Sequence, residues 1–429
     1  MEWALVIVAL ATLAVAGVSR WLSGTPVTPA MVFVAIGVLV GSEVLGEVTP
    51  SPTGSTVRVL AEATLALVLF SDASRIRLPA LRRHAGVPLR LLGIGLPLTI
   101  ALGALAAFAL FDRMTVFEAL LLAVLLAPTD AALGQAVVTE PRLPSRIRQG
   151  LNVESGLNDG ICVPLLFIVL AAAEAESHVT SDHHALTIVF EEIGYGLLGG
   201  VGAGLLVVAI VRFAGRRGLI AESWMPAIPV AGAALAYGSA AALGGSGFIA
   251  AFVAGGVFGV LLGNPGEVTR LTDEVGELLG GATFLIFGAV LLGPALGELT
   301  WRVVLYALLS LTLVRMLPVA IAMLGTHARP PTAAFLGWFG PRGLASIVFA
   351  LIVVEESHLP EVQTILVATY LTVGLSVFAH GISAAPLADR YARWYEAHPR
   401  GARPPMESGP ADVHRPRGSV AHSVSIGQV

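Results

Sequence analysis

Two apolar stretches of the sequence each carry a small group of polar and acidic side chains. The first contains Thr129 and Asp130 directly after Pro128, and the second reads Glu-Ser-Gly-Leu-Asn-Asp over residues 154–159. A charged carboxylate in apolar surroundings is costly, so it usually marks the path of an ion or a proton. We therefore expect ion chemistry at these two places.

The spacing within residues 154–159 arranges the side chains in pairs on a helix. Glu154 and Asn158 are four residues apart, as are Ser155 and Asp159, so each pair shares one helix face. Ser155 and Asp159 thus offer a hydroxyl and a carboxylate side by side. Hard cations prefer oxygen ligands, so this face is a candidate cation site.

The composition places these residues in a membrane protein. Of 429 residues, 55% are hydrophobic and 13% are charged, whereas about a quarter of the residues in a soluble domain are charged. The apolar residues form about thirteen runs of roughly 17 to 25 residues, the length that a helix needs to cross a bilayer. The runs lie near residues 3–19, 27–46, 57–71, 87–111, 115–138, 149–173, 187–211, 224–243, 246–263, 276–293, 301–325, 333–354 and 361–384.

All 25 basic residues are arginine, and their positions indicate the orientation of the chain. They concentrate at alternate connections between the runs, while the intervening connections are acidic or neutral. By the positive-inside rule the arginine-rich side is cytoplasmic. An odd number of crossings then places the N-terminus outside the plasma membrane and the C-terminus in the cytoplasm. The arginine-rich connections carry Arg20, Arg75, Arg77, Arg82, Arg83, Arg142, Arg146, Arg148, Arg212, Arg216, Arg217, Arg270 and Arg329.

Two of the runs contain residues that interrupt a helix. The fifth carries Pro128 near its middle, and the twelfth carries Pro341 between Gly340 and Gly343. Proline removes a helical donor, and glycine relaxes the backbone. If the seventh run is a linker, the remaining runs form two halves of opposite orientation, and both interruptions fall at the fifth position of a half. Such paired interruptions indicate the binding site of a secondary transporter.

The predicted fold class is an all-α polytopic membrane protein. It has about thirteen transmembrane helices in two inverted six-helix repeats, with helices 5 and 12 broken. The transmembrane domain covers residues 1–385. Residues 386–429 are rich in Pro, Gly, Ser and Arg and are predicted to form a disordered cytoplasmic tail.

Other functional classes fit the sequence less well. A cation channel is the alternative, but channels usually need rings of residues around a symmetry axis, and proton counter-transport would distinguish the two. A membrane enzyme would need a constellation such as a His-Glu-x-x-His helix, which the sequence does not contain. We therefore expect no enzymatic activity, no cofactor and no nucleic-acid partner, and we expect transport driven by an ion gradient.

Three segments of the chain resemble the signatures of a known family. They are Pro-Thr-Asp at residues 128–130, Glu-Ser-Gly-Leu-Asn-Asp at 154–159 and Gly-Pro-Arg-Gly at 340–343. They look like those of the NhaP-type sodium/proton antiporters, in the monovalent cation:proton antiporter family that also contains the animal sodium/proton exchangers. The resemblance covers residues 1–385 and implies a homodimer in the lipid bilayer that serves pH homeostasis.

The resemblance also implies roles for the polar residues. Asp159 would carry cation and proton in turn, and Ser155, the Thr129 carbonyl and Asp130 would help to bind the cation. Asn158 would hold the site in shape. From the residues alone, Asp130 could instead cap the half-helix at the break, where it would satisfy freed backbone donors.

Three further charged residues have alternative roles. The family often has a glutamate in the third segment that reaches the site, and Asp72 is the nearest match, although it could simply begin the basic connection. Glu154 needs a buried partner, and Arg315 and Arg342 both lie inside apolar runs. The resemblance favours Arg315 as that partner.

The expected activity is electroneutral exchange of one monovalent cation for one proton. The expected cation is sodium, with lithium and potassium left open. Cation and proton compete for Asp159, and the segments that contain the breaks move to expose the site to each side in turn. Asn158 stands where a second acid would be, so we expect a stoichiometry of one to one.

Overall fold

The computed structural model describes residues 2–22, 25–41, 55–76, 86–176, 184–263, 268–398 and 404–408. The regular elements in these ranges are helices, which confirms the all-α prediction. Each of the predicted apolar runs overlaps at least one helix. The first seven helices are α1 (Glu2–Leu22), α2 (Pro29–Val40), α3 (Ser55–Ser74), α4 (Gly86–Leu110), α5 (Val116–Leu125), α6 (Gln135–Val138) and α7 (Ser145–Glu176).

The described residues after α7 also form helices. Six helical spans of the described part are long and apolar enough to cross a bilayer by length and composition, and the number of crossings stays a prediction. The remaining helices are α8 (His184–Arg216), α9 (Ala227–Ala242), α10 (Gly247–Leu262), α11 (Arg270–Glu298), α12 (Trp301–Leu311), α13 (Leu313–Ala322), α14 (Pro330–Trp338), α15 (Leu344–Glu356), α16 (Val362–Glu396) and α17 (Pro405–Ser408).

Both predicted interruptions are present. In the fifth run, α5 ends at Leu125, and the chain is irregular before α6 begins at Gln135. In the twelfth run, α14 ends at Trp338 and α15 begins at Leu344. At the start of α5, Thr115 and Glu118 form a capping box, in which each side chain accepts the backbone N–H of the other.

Two π-helical turns and one further interruption were not predicted. The π-helical turns are Leu91–Gly95 in α4 and Phe287–Leu292 in α11, and each is followed two residues later by a proline, Pro97 or Pro294. A proline cannot donate to the carbonyl four residues earlier and clashes with it, so the preceding turn widens. The eleventh run is interrupted at Thr312, between α12 and α13.

An extended apolar core packs α2, α5, α7, α11, α15 and α16 together. Where α10 crosses α3, the two backbones are in direct contact: a Cβ added at Gly255 would meet the backbone of Phe70, and one at Gly259 would meet that of Ser74. Small residues at helix crossings allow this close approach in membrane proteins. The crossing fixes the end of α3 that carries Asp72.

The alternation of charge along the chain is not strict. Arg58 lies at the opposite end of α3 from Arg75 and pairs with Glu355, at the end of α15. Arg302, at the start of the eleventh run and next to a connection predicted to be outside, donates to Asp112 at 2.6 Å. Arg58 and Arg302 thus each have an acidic partner. The connection that contains Arg77, Arg82 and Arg83 lies outside the described residues.

The predicted boundary at residue 386 falls inside a helix, because α16 continues through Pro386 to Glu396. The chain then returns to the helical domain at α17. There the buried Glu407 accepts hydrogen bonds from the backbone N–H of Arg329 at 2.9 Å and from the hydroxyl of Thr332 at 2.7 Å, at the start of α14. The predicted tail beyond Ser408 lies outside the described residues.

Candidate ion-binding site

The two interrupted segments cross each other, and Asp130 joins them. The backbone N–H of Asp130 donates to the carbonyl of Pro341 at 2.8 Å. Its carboxylate accepts the N–H of Ala132 at 2.8 Å and that of Leu344, the first residue of α15, at 3.1 Å. Asp130 therefore accepts a backbone N–H at the start of α15, the half-helix of the other segment, whereas the sequence suggested a cap at its own break, and it is 8% exposed.

Arg342, in the second interrupted segment, binds the backbone of the first. Its Nη1 donates to the carbonyl oxygens of Ala127 at 2.9 Å and Pro128 at 3.3 Å. These carbonyls follow the C-terminal end of α5, where the helix dipole favours a positive charge. No ion pair of Arg342 with Glu154 is present among the described contacts, so the structure does not support Arg342 as the partner of Glu154.

Arg315 is the partner of Glu154. The two side chains are joined by two hydrogen bonds of 2.6 and 2.8 Å, and each is 2% exposed. This two-point geometry is the strongest form of an arginine–carboxylate contact. The guanidinium also touches the second break, because a Cβ added at Gly340 would collide with it. The pair thus ties α7 to α13 and supports the break.

Two side chains of the second polar group, Ser155 and Asn158, contact Thr129. The hydroxyl of Ser155 donates to the Thr129 carbonyl, and the Nδ2 of Asn158 donates to the Thr129 hydroxyl at 2.7 Å. Asp159 is 7% exposed and lies one turn after Ser155 on the same helix. Within the described part of the chain, the Oδ1 of Asn158 is buried without a hydrogen-bond partner.

Two cavities adjoin this cluster. One of about 10 Å³, close to the space of one water molecule, is lined by Thr129, Asp130 and Ser155 with Phe339 and Pro341. The other, of about 160 Å³, extends from Asp130 toward the arginine-rich end of the helices. Its polar lining residues are Thr28, Ser71, Asp130, Gln135, Thr272, Asp273 and Glu277.

The structure places Asp72 beside the site segment. A Cβ added at Gly156 would lie 3.4 Å from the Cβ of Asp72 and 4.0 Å from its Oδ2. Asp72 therefore packs against α7 one residue from Ser155. The neighbouring Ser71 donates to Asp273 at 2.5 Å, and Arg75 pairs with the same carboxylate, so this end of α3 is tied to α11.

Two residues that touch the second break were not predicted from the sequence. The backbone N–H of Arg342 donates to the hydroxyl of Ser376 at 2.7 Å, and His380 lies one turn after Ser376 on α16. Both side chains are buried. A hydroxyl and a histidine four residues apart in an apolar run share a helix face, and this spacing was the available signal.

Gly343→Ala is expected to lower both stability and activity, because a methyl group at this position would collide with the Asp130 carboxylate. We expect a loss of about 1–3 kcal/mol in the free energy of unfolding, as for other overpacked sites, measured by denaturation in detergent. Gly256→Ala is the matched control, since no atom lies within 4 Å of its added Cβ. Equal stability of the two variants would contradict the contact.

Comparison with known proteins identifies the family. Residues 6–390 match the profile of the family described as "Sodium/hydrogen exchanger, transmembrane". The chain belongs to this family. The match covers both interrupted segments and α7, so the residues that meet at the crossing lie within the family's own domain. The family is one of membrane transporters, in agreement with the prediction of a polytopic membrane protein.

Several curated relatives match the same region. The chain is 26% identical over 369 residues to the K(+)/H(+) antiporter NhaP2 of Shewanella sp. strain ANA-3, with 83% of this chain and 62% of the relative covered. It is 27% identical over 407 residues to the K(+)/H(+) antiporter NhaP of Alkalimonas amylolytica, with 94% and 67% covered. The Na(+)/H(+) antiporter 2 of Zygosaccharomyces rouxii is 27% identical over 358 residues, with 78% and 44% covered. The chain thus spans less than two thirds of the Shewanella relative.

A solved structure shows the same fold. The sodium proton antiporter MjNhaP1 from Methanocaldococcus jannaschii, at pH 8, superimposes with a TM-score of 0.73 at 19% sequence identity. The alignment covers 91% of this chain and 98% of that protein. The exchanger fold therefore extends over nearly all of the chain.

Proposed function

We propose that the protein is a secondary antiporter that exchanges a monovalent cation for a proton across the plasma membrane. The observation that carries the proposal is the crossing of the two interrupted segments beside Ser155 and Asp159 on α7. Exposed carbonyls and half-helix ends at such a crossing bind ions in secondary transporters. Membership of the exchanger family supports the same assignment.

Asp159 is the proposed exchange group. The carboxylate binds either a cation or a proton, and each ligand displaces the other. Ser155 and the Thr129 carbonyl supply further oxygen ligands, while Asn158 holds the Thr129 hydroxyl. Asp130 is occupied by two backbone N–H groups, so we assign it to the support of the site and of the cavity that leads there. Asp72 lies close enough to α7 to assist.

The transported ion is an alkali-metal cation. The printed names of the relatives give potassium for the bacterial proteins and sodium for the yeast protein, so both belong in the assay together with lithium. The small cavity beside Thr129 and Ser155 admits a cation that has lost most of its water.

The large cavity indicates which side of the membrane has access. It lies at the end of α3 that carries Arg75, and residues of α11 and of the first break line it. With the arginine-rich side in the cytoplasm, we assign the conformation as inward-facing and propose that the N-terminus lies outside and the C-terminus inside. The ion pair of Arg58 with Glu355 joins α3 to α15 at the opposite, outer end.

We also propose that the protein is a homodimer.

Competition between cation and proton is the first test of this function. In everted vesicles with a pH-sensitive dye, each cation in turn should drive proton movement. If both ligands share Asp159, acidification raises the half-saturating cation concentration, and saturating cation restores the rate. The rate at fixed, subsaturating cation is then bell-shaped in pH, and its acidic limb moves to lower pH as cation rises. If the pH of the acidic limb stays the same when the cation concentration is changed tenfold, cation and proton do not share one site.

The second arm of the same assay separates exchange from conduction. One cation for one proton moves no net charge, so the gradient at which flux stops should be independent of voltage. A thiocyanate diffusion potential across proteoliposomes supplies the voltage without adding a transported cation. A cation channel instead shows a voltage-dependent null point and no proton counter-transport.

A further inference from the structure

Ser376 and His380 form a buried polar pair in an otherwise apolar part of α16. They are four residues apart and share a helix face, and their exposed fractions are 0% and 1%. This face contacts the break between the end of α14 at Trp338 and the start of α15 at Leu344. Buried polar groups are retained where they are hydrogen-bonded, so the contacts of this pair show what it does.

The pair holds the backbone on both sides of the break. The Nε2 of His380 lies 2.9 Å from the carbonyl oxygen of Trp338, the last residue of α14. The Nδ1 lies 3.1 Å from the Ser376 hydroxyl and 3.0 Å from the Ser376 carbonyl. A carbonyl only accepts, so the ring bonds Trp338 in the tautomer whose proton is on Nε2; in that tautomer Nδ1 accepts from the Ser376 hydroxyl and makes no hydrogen bond with the Ser376 carbonyl. The hydroxyl in turn accepts the N–H of Arg342 at 2.7 Å.

The Ser376 hydroxyl satisfies a backbone N–H within the break, that of Arg342. The last carbonyls of a helix have no partner within the helix, and the Trp338 carbonyl, which accepts the N–H of Gly340 at 2.9 Å, also has His380 as a second partner. The Trp338 ring also lies on the His380 ring, with centroids 5.0 Å apart and planes inclined by 32°. His380 and Ser376 therefore fix the distance between the end of α14 and Arg342.

The same contacts extend to the ion site through Arg342. Its backbone is held by Ser376, while its guanidinium donates to the carbonyls of Ala127 and Pro128. The next residue is Thr129, whose carbonyl accepts the Ser155 hydroxyl. A path of hydrogen bonds, connected covalently through the Arg342 side chain and the Pro128–Thr129 peptide, thus runs from α16 through both breaks to a proposed cation ligand.

We propose that Ser376 and His380 are positioning residues that set the cation affinity of the site by holding Arg342 and, through it, the Thr129 carbonyl. This inference rests on the proposed antiport function. Neither residue contacts the cation. Without these two side chains, the Thr129 carbonyl has to become ordered when the cation binds, so the cation affinity falls. At saturating cation Asp159 still exchanges cation for proton, so the maximal rate is kept.

The test compares three single variants in proteoliposomes. In Ser376→Ala and His380→Ala, the half-saturating cation concentration should rise about tenfold, the effect of one well-placed hydrogen bond, while the rate at saturating cation stays within about twofold. Ser383→Ala is the matched control. Its hydroxyl lies on the same helix and accepts the indole N–H of Trp338 at 2.9 Å, so it touches the same residue without holding the break. It should leave the half-saturating concentration unchanged.

Two additions separate positioning from a general loss of structure. Ser376→Cys keeps the volume and a weak donor, so its half-saturating concentration should fall between those of the wild type and Ser376→Ala. Because the two residues act in one chain, the double variant should be no worse than the weaker-binding single variant. Cation-dependent thermal stabilisation in detergent reports affinity without transport and should show the same order.

Three outcomes would overturn the inference. They are an unchanged half-saturating concentration in Ser376→Ala, the same change in Ser383→Ala, or a fall in rate and folded yield at constant half-saturation. Each applies only where the wild-type protein exchanges cations for protons. Absence of exchange in the wild type would instead refute the proposed function, so the two failures are distinguishable.

Discussion

Asp159→Asn should reduce cation-driven proton movement to the background of vesicles that lack the protein. The amide has nearly the same shape as the carboxylate, but it neither takes up a proton nor carries a charge for the cation. The side chain is 7% exposed on α7, and α7 packs through its apolar residues, so the variant should fold. Dye-reported exchange in everted vesicles, with sodium, lithium and potassium in turn, measures the loss.

The control for this variant is a second Asp→Asn change at the surface. Asp112 pairs with Arg302, and its side chain is 71% exposed. Asp112→Asn should therefore keep the wild-type rate, and both variants should melt in detergent at the wild-type temperature. Normal exchange by Asp159→Asn would show that another group carries the proton, and Asp130 and Asp72 would be the next carboxylates to change.

Glu154→Ala should lower stability more than it changes ion affinity. It leaves the guanidinium of Arg315, 2% exposed, without its carboxylate. Breaking a buried ion pair from one side typically costs about 3–5 kcal/mol. Denaturation in detergent should show a loss of this size. The half-saturating cation concentration of the remaining folded protein should change little, because Ser155 keeps its bond to the Thr129 carbonyl.

Second-site changes identify the partner. Adding Arg315→Met to Glu154→Ala removes the stranded charge and should restore a large part of the stability, whereas adding Arg342→Met should lower it further. Glu274→Ala is the surface comparison, since Glu274 pairs with Arg270 on one exposed helix face, and exposed pairs contribute little. Rescue by the change at Arg342 would contradict the observed geometry.

Local chemistry made the breaks predictable from the sequence. Pro128 and the cluster of Gly340, Pro341 and Gly343 weaken a helix locally, because the cause lies within the segment itself. The helical location of Ser155 and Asp159 followed from spacing in the same way. In the structure, Ser155 and Asn158 both contact Thr129 at the first break.

Contacts between distant segments were harder to predict. Arg315 and Arg342 are both arginines in apolar runs, and only the fold decides that one meets Glu154 and the other meets carbonyls. Ser376 and His380 could be seen as polar residues on one helix face, but their partners are backbone groups, which no side-chain pattern reveals. The π-helical turns had a local signal in Pro97 and Pro294, although a proline alone does not specify how a helix will accommodate it.

The docked end of the chain bears on how the protein can be shortened or tagged. A chain ending at residue 385 would stop inside α16 and would also lack Glu407, whose carboxylate accepts the Arg329 N–H and the Thr332 hydroxyl. Both donors lie at the N-terminus of α14. This helix begins with two prolines and has no side-chain cap from its own residues. The carboxylate at the N-terminus of α14, where the helix dipole favours a negative charge, is therefore supplied by Glu407, far along the chain. A fusion placed after Ser408 preserves that acceptor, whereas one placed at residue 386 removes it.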